Sequence, residues 1–201
     1  MACGLDPLHG AEVVPGAAPA NLYALVGYIP APLGDFLDGL RAQLVPDCRL
    51  RSHVSLLPPR PISGSVVAAN KQIHRMADET PPFNIVIDNI EIFEETCVIY
   101  LGLEQGTEEL LRIHSLLNSD SLGFQEPFCY HPHITLAQKF SVEQLPRLRK
   151  IATEAWAEYG GIRGFALDTI TFVQNCGLPG LETSGACCKE WIDLDECRLG
   201  R

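Results

Sequence analysis

Two tetrapeptides of one pattern constrain this chain more than any other feature: "HVSL", His53 to Leu56, and "HITL", His133 to Leu136, stand 80 residues apart in a chain of 201. Each reads histidine, any residue, a hydroxyl residue, then an apolar one. On a β-strand, residues i and i+2 share one face while i+1 and i+3 take the other. Each tetrapeptide therefore presents an imidazole beside a hydroxyl and buries Val54 with Leu56, or Ile134 with Leu136. A fold that uses both must bring two distant strands to one place. Two similar lobes packed about a pseudo-two-fold axis do this.

The surrounding pattern agrees. "NLYALVGYI", from Asn21, reads as a strand, and Leu33, Phe36, Leu37, Leu40 and Leu44 give the spacing of an amphipathic helix over 32–45. "CRLRSHVSLLPP" reads as a strand that its two prolines end, and Ser63 to Glu79 as a helix weakened by Gly64. "PFNIVIDNIEIFEETCVIYLGLE" is a hairpin turning at "EET", Thr107 to Ser119 a helix, "HPHITLAQ" a strand and Val142 to Tyr159 a helix. "FALDTITFVQ" reads as one strand, "CGLPGLETSGACC" as a loop and "EWIDLDEC" as a last strand. This order predicts an α+β class with two pseudo-symmetric lobes, each an antiparallel sheet with helices, and a cleft between them. A division near residue 103 makes lobe halves of 21–103 and 104–201 within one bilobal domain, 21–201. Residues 1–20 are rich in Ala, Gly and Pro, lack the basic and apolar regions of a secretory signal, and read as a mobile leader.

Composition narrows the functions. A formal net charge of −10 repels polyanions, so a local pocket is expected in place of an extended nucleic-acid groove. No apolar run approaches the roughly 20 residues of a membrane span. The eight cysteines are irregularly spaced and none forms a C-x-x-C pair, which favours reduced thiols in a cytoplasmic protein over disulfides or zinc.

If both tetrapeptides line one cleft, it holds two imidazoles that titrate near neutrality and two neutral hydroxyl donors. Those are the parts of general acid and base catalysis at a phosphodiester. The alternative is that His53 and His133 are ordinary strand histidines bonded to backbone. His131, two residues from His133, suggests a metal pair at first sight, but the local sequence supplies no further ligands, and a structural or rim place fits it better than a substrate contact. Arg60 and Lys139 follow the two motifs and are candidates to reach a phosphate. Tyr130 and Phe128 are candidates to stack on a base, with core packing as the competing role. His74 and His114 lie in helical segments and read as surface or core residues.

The paired motifs, their spacing and Pro132 directly before His133 resemble the two-histidine (2H) phosphoesterases. Within them the chain is similar to the bacterial RNA 2′,3′-cyclic phosphodiesterases, also called 2′-5′ RNA ligases, over about residues 21 to 175. The resemblance implies a bilobal fold and chemistry with no metal and no cofactor. It implies His53 and His133 as the catalytic pair, with the first usually assigned as acid toward a cyclic phosphate, and Ser55 and Thr135 as holders of phosphate oxygens. The implied activity opens a 2′,3′-cyclic phosphate on RNA ends or a nucleotide to leave a 2′-phosphate. Joining or cleaving a 2′-5′ linkage, a non-catalytic nucleotide or RNA-binding module and a metal-dependent hydrolase are the alternatives. A monomer with no membrane partner is expected.

Overall fold

The structure, a computed structural model, describes residues 21–46, 48, 50–175 and 191–200. The expected leader over 1–20 and the loop "CGLPGLETSGACC" lie outside the described residues. The elements run β1 (Leu22–Tyr28), α1 (Leu33–Leu44), β2 (His53–Arg60), α2 (Val66–Glu79), β3 (Phe83–Phe93), β4 (Val98–Gln105), α3 (Thr107–Leu117), β5 (Ile134–Ala137), α4 (Leu145–Glu158), β6 (Gly164–Leu167), β7 (Thr169–Asn175) and β8 (Trp191–Arg198). They form two antiparallel four-stranded sheets of order β2-β1-β7-β8 and β5-β4-β3-β6, the two-lobed α+β architecture expected.

Four sequence expectations are corrected. Pro58 and Pro59 do not end the first motif strand: β2 continues to Arg60, which pairs with Tyr23 across an irregular register. β2 is the outermost strand of its sheet, and an edge tolerates residues without an N–H. "FALDTITFVQ" is two strands, with the chain leaving sheet two after Leu167 and joining sheet one at Thr169. The alternation of side chains runs on through Asp168, so the pattern hides the change of sheet. For the same reason a division near residue 103 does not follow the sheets: sheet one takes its strands from 22–60 and 169–198, and sheet two from 83–167. The helix expected from Ser63 begins at Val66, because Gly64 takes a left-handed φ of +91° and Ser65 caps the helix by accepting from the Ala68 N–H.

The helices cross between lobes. α1 follows β1 of sheet one but packs on β5 of sheet two, while α3 follows β4 of sheet two but packs on β2 of sheet one. The two helices bury matching positions: Leu37, Leu40, Arg41 and Leu44 of α1 correspond to Leu110, Ile113, His114 and Leu117 of α3. α2 and α4 pair with α3 and α1 respectively. One continuous core results, from Leu25, Leu37 and Val54 through Ile85, Leu101 and Ile134 to Ile170 and Phe172. At about 25 cal/mol per Å² of buried apolar area, this shared core makes each lobe a condition for the other.

Candidate active site

β2 and β5, the two motif strands, are each the outer strand of its sheet, and they contact one another. Their burial alternates identically over nine residues, 51–59 against 131–139, with the core side chains inward and His53, Ser55, His133 and Thr135 half-buried. His53 Nδ1 lies 2.7 Å from the Arg51 carbonyl, and His133 Nδ1 lies 2.7 Å from the His131 carbonyl. A carbonyl only accepts, so Nδ1 carries the proton in both rings and Nε2 is the nitrogen left for chemistry. The two motifs thus fix the same tautomer by the same local bond.

Each imidazole stands against a tyrosine. His53 meets Tyr28 edge-on at 6.3 Å, and His133 meets Tyr100 at 5.2 Å and Phe93 at 5.0 Å. Tyr28 donates its hydroxyl to Asp193 at 2.9 Å and Tyr100 to Glu91 at 2.8 Å; burial and the carboxylate partner push both phenols up to about 12. Tyr28 pairs with His53 and Val26 with Ser55, so the face that carries motif one also carries a small apolar cluster of Ala24, Val26 and Val173 with Tyr28 and Trp191.

Burial pushes the His53 imidazole down to about 4; its bond to the Arg51 carbonyl opposes this, while the positive charges of Arg41 and of His133 add to it. His133 is lowered by burial, against its bond to the His131 carbonyl and with a further push from His131. The charge of His133 is felt at His53, as facing strands require. Both shifts favour the neutral imidazole.

The backbone of each motif is held from the other half of the chain. Arg41 of α1, 3% exposed, donates through Nη1 to the Thr135 carbonyl and through Nη2 to Cys48 Sγ at 3.4 Å. Tyr130 donates its hydroxyl to the Ser55 carbonyl at 2.7 Å, and its ring stacks on His114 of α3 at 3.9 Å with planes 5° apart. His114 Nε2 lies 2.9 Å from Glu126 Oε1, and Glu126 pairs with Arg60. On the same helix as Arg41, Asp38 accepts from the Ser52 N–H at 2.6 Å, one residue before His53.

Two expected substrate contacts are therefore corrected. Arg60 is 1% exposed and spends its guanidinium on Glu126, Asn118 and the carbonyls of Pro58 and Leu122, so it is locked in the core behind the motif. Tyr130 spends one ring face on His114 and its hydroxyl on the Ser55 carbonyl, which makes it a support behind motif one. Phe128 and Lys139 are exposed, and Lys139 takes φ +59° in the turn after β5. His131 is exposed beside Phe93 and Tyr100, and its carbonyl, not its ring, serves His133. Among the described residues, His131 and His133 belong to no group of three metal-ligating side chains. Sequence reading passed over Arg41, Asp38 and Arg51. Arg51 is the first-half counterpart of His131, exposed, with its guanidinium 3.9 Å from the centre of the Tyr28 ring. Only the crossed helix packing brings Arg41 to Thr135.

Known proteins match this layout. The sequence profile described as the 2′-5′ RNA ligase superfamily covers residues 29–175. A protein of Geobacillus thermodenitrificans, named provisionally as a phosphoesterase, is 30% identical over 125 residues, 58% of this chain and 68% of that protein. A Bacillus licheniformis protein with the same provisional name is 26% identical over 125 residues, 61% of this chain and 73% of its own. Among solved structures, apo LigT of Escherichia coli superposes with a TM-score of 0.58 at 18% identity, covering 90% of this chain and 98% of LigT. LigT in complex with 3′-AMP gives 0.58 at 19%, with coverage of 90% and 99%. Among the described residues, no helix is long and apolar enough to cross a membrane.

Proposed function

The chain belongs to the 2′-5′ RNA ligase superfamily, and on that premise we propose that it opens 2′,3′-cyclic phosphates on RNA ends or nucleotides, leaving a 2′-phosphate, by acid and base catalysis between His53 and His133. One observation carries the reading: two imidazoles on facing edge strands, each with Nδ1 tied to the carbonyl two residues back, so that both keep Nε2 for the substrate. One neutral ring takes the proton of a water attacking phosphorus; the other, protonated, gives its proton to the departing ribose oxygen. A phosphate between them supplies the negative charge that lets one of two depressed imidazoles hold a proton, and the pair titrates as a unit. Ser55 and Thr135 hydroxyls stabilise the charge that grows on the non-bridging oxygens. Arg51 and Lys139, both exposed beside the motif strands, are the described cations proposed to meet the phosphate once Arg60 is spent on Glu126.

The acidic net charge favours nucleotides or short RNA ends over long RNA, and a neighbour of the same fold described with 3′-AMP supports a nucleotide ligand. The test is 2′,3′-cyclic AMP with chelator present and the product position identified. Turnover to the 2′-phosphate that is lost in His53→Ala and in His133→Ala is the expected result. Binding without turnover would make the chain a nucleotide-binding module, and loss of turnover on chelation would make it a metal-dependent hydrolase. RNA bearing a cyclic phosphate and a second RNA with a 5′-hydroxyl, incubated together, measure the ligase direction.

A further inference from the structure

On the side of sheet one away from β2, three side chains that the cleft does not use come together. His74 of α2, with Asp195 and Cys197 of β8, brings a ring nitrogen, a carboxylate oxygen and a sulfur within 4.8 Å of one another. Asp195 and Cys197 are alternate residues of a strand and point the same way, and α2 packs across β8. His74 Nε2 lies 2.8 Å from Asp195 Oδ2 and 3.5 Å from Cys197 Sγ. The carboxylate is held in place: Asn70, one turn before His74, donates to Oδ2 at 2.7 Å, and the Glu196 N–H donates to Oδ1 at 2.9 Å. Asp78, one turn after His74, lines a small cleft of about 40 Å³ together with His74, Glu196, Cys197 and Arg198. Asp78, Asp195 and Glu196 bring three carboxylates to this place, with Arg198 in the cleft lining and Lys71 and Arg75 along the adjoining groove.

We propose that this group is a zinc site, with His74 Nε2, Asp195 Oδ2 and Cys197 Sγ as three ligands and water or Asp78 in the fourth position. Zinc bonds of about 2.3 Å to sulfur and about 2.0–2.1 Å to nitrogen, set tetrahedrally, separate the two ligand atoms by about 3.5 Å, the distance found between Cys197 and His74. The His74 to Asp195 separation must open by about half an ångström to share a metal, and the His74 side chain is 48% exposed and has room to swing. A mixed imidazole, thiolate and carboxylate set suits zinc, whereas magnesium and calcium take oxygen ligands. Binding sends the Cys197 thiol proton to solvent, and the imidazole proton that the Asp195 carboxylate holds on Nε2 gives way to the metal while Nδ1 takes the remaining proton, the neutral ring exchanging tautomer through solvent. Asn70 is the outer partner that orients the carboxylate, as ligating groups require. β8 is the outer strand at the edge opposite β2, so the metal clips that edge to α2 and takes no part in the cleft chemistry.

The full chain, stripped by chelation and loaded with Co²⁺, tests this directly. The expected result is one equivalent of cobalt with the near-ultraviolet thiolate-to-cobalt band and the visible bands of a four-coordinate ion, all displaced by Zn²⁺. His74→Ala, a change at a half-exposed position, and Cys197→Ser both lose the thiolate band, while the double variant Cys187→Ser/Cys188→Ser keeps it. With Zn²⁺ about 100-fold above its Kd, the melting midpoint rises by about 5–10 °C in the unaltered chain and not in His74→Ala. A chain that shows no thiolate band, a band that survives both single variants, or an equal zinc shift in His74→Ala overturns the proposal.

Discussion

The two motif strands are alike in what they present and unlike in what stands behind them. Both offer an Nε2 and a hydroxyl, with the same tautomer and the same alternation of burial. Behind motif one, an eight-residue strand is backed by a buried chain of contacts from Tyr130 through His114 and Glu126 to Arg60. Behind motif two, a four-residue strand is held through Arg41, whose Nε is buried and meets no hydrogen-bond partner among the described residues. Arg41 and His114 occupy matching places on the two crossed helices, so the same structural task is met by a guanidinium on one side and by an imidazole working through a tyrosine on the other. The chemistry at phosphorus constrains atoms at the front; the support needs only a donor to one carbonyl.

If the fronts are equal, His53→Ala and His133→Ala each lower the rate of cyclic-phosphate opening by about 10²–10⁴, and the double variant falls little further. Single variants differing by more than tenfold would break the equivalence. If the backs are unequal, Arg60→Met costs about 3 kcal/mol because it leaves the largely buried Glu126 with His114 in place of a guanidinium as its charge partner, whereas Arg41→Met strips no carboxylate and costs about 1–3 kcal/mol for an unsatisfied carbonyl; urea midpoints of both variants decide. Acid sharpens the difference at the front. Folded His53 titrates near 4 and an unfolded imidazole near 6.5, so the unfolded chain takes the extra proton between those values. Stability present above about pH 6.5 is lost as pH falls toward 4, by up to about 3 kcal/mol from this group. His53→Gln flattens that limb of a midpoint-against-pH profile, and an unchanged limb would count against it. The smallest effect is Tyr130→Phe, expected to cost about 1 kcal/mol in stability and less than tenfold in rate.

Much of this was legible in the chain. The strand period placed Val54, Leu56, Ile134 and Leu136 in the core, and the repeated tetrapeptide singled out His53 and His133 across 80 residues. What stayed hidden depends on packing between elements that are far apart in sequence. Arg60 looked like a phosphate ligand because it follows the motif, yet a charge at a strand end turns inward when a carboxylate such as Glu126 waits there. Asp168 carries no sign that the chain changes sheet, since a period of two continues through it. Arg41 and His114 matter because α1 and α3 lie on the other lobe's strand, a fact that no local pattern encodes.

That change of sheet at Asp168 also sets an order on biosynthesis. Every strand of sheet two is present once residue 167 has left the ribosome, but sheet one then holds only β1 and β2, and a lone pair of strands is marginal in water. The strand that carries His53 gains its full sheet only when β7 and β8, the last of the described strands, arrive. A product truncated after residue 167 therefore holds the strand of Thr135 in a complete sheet and the strand of Ser55 in an incomplete one, so the two motifs do not reach their final setting together.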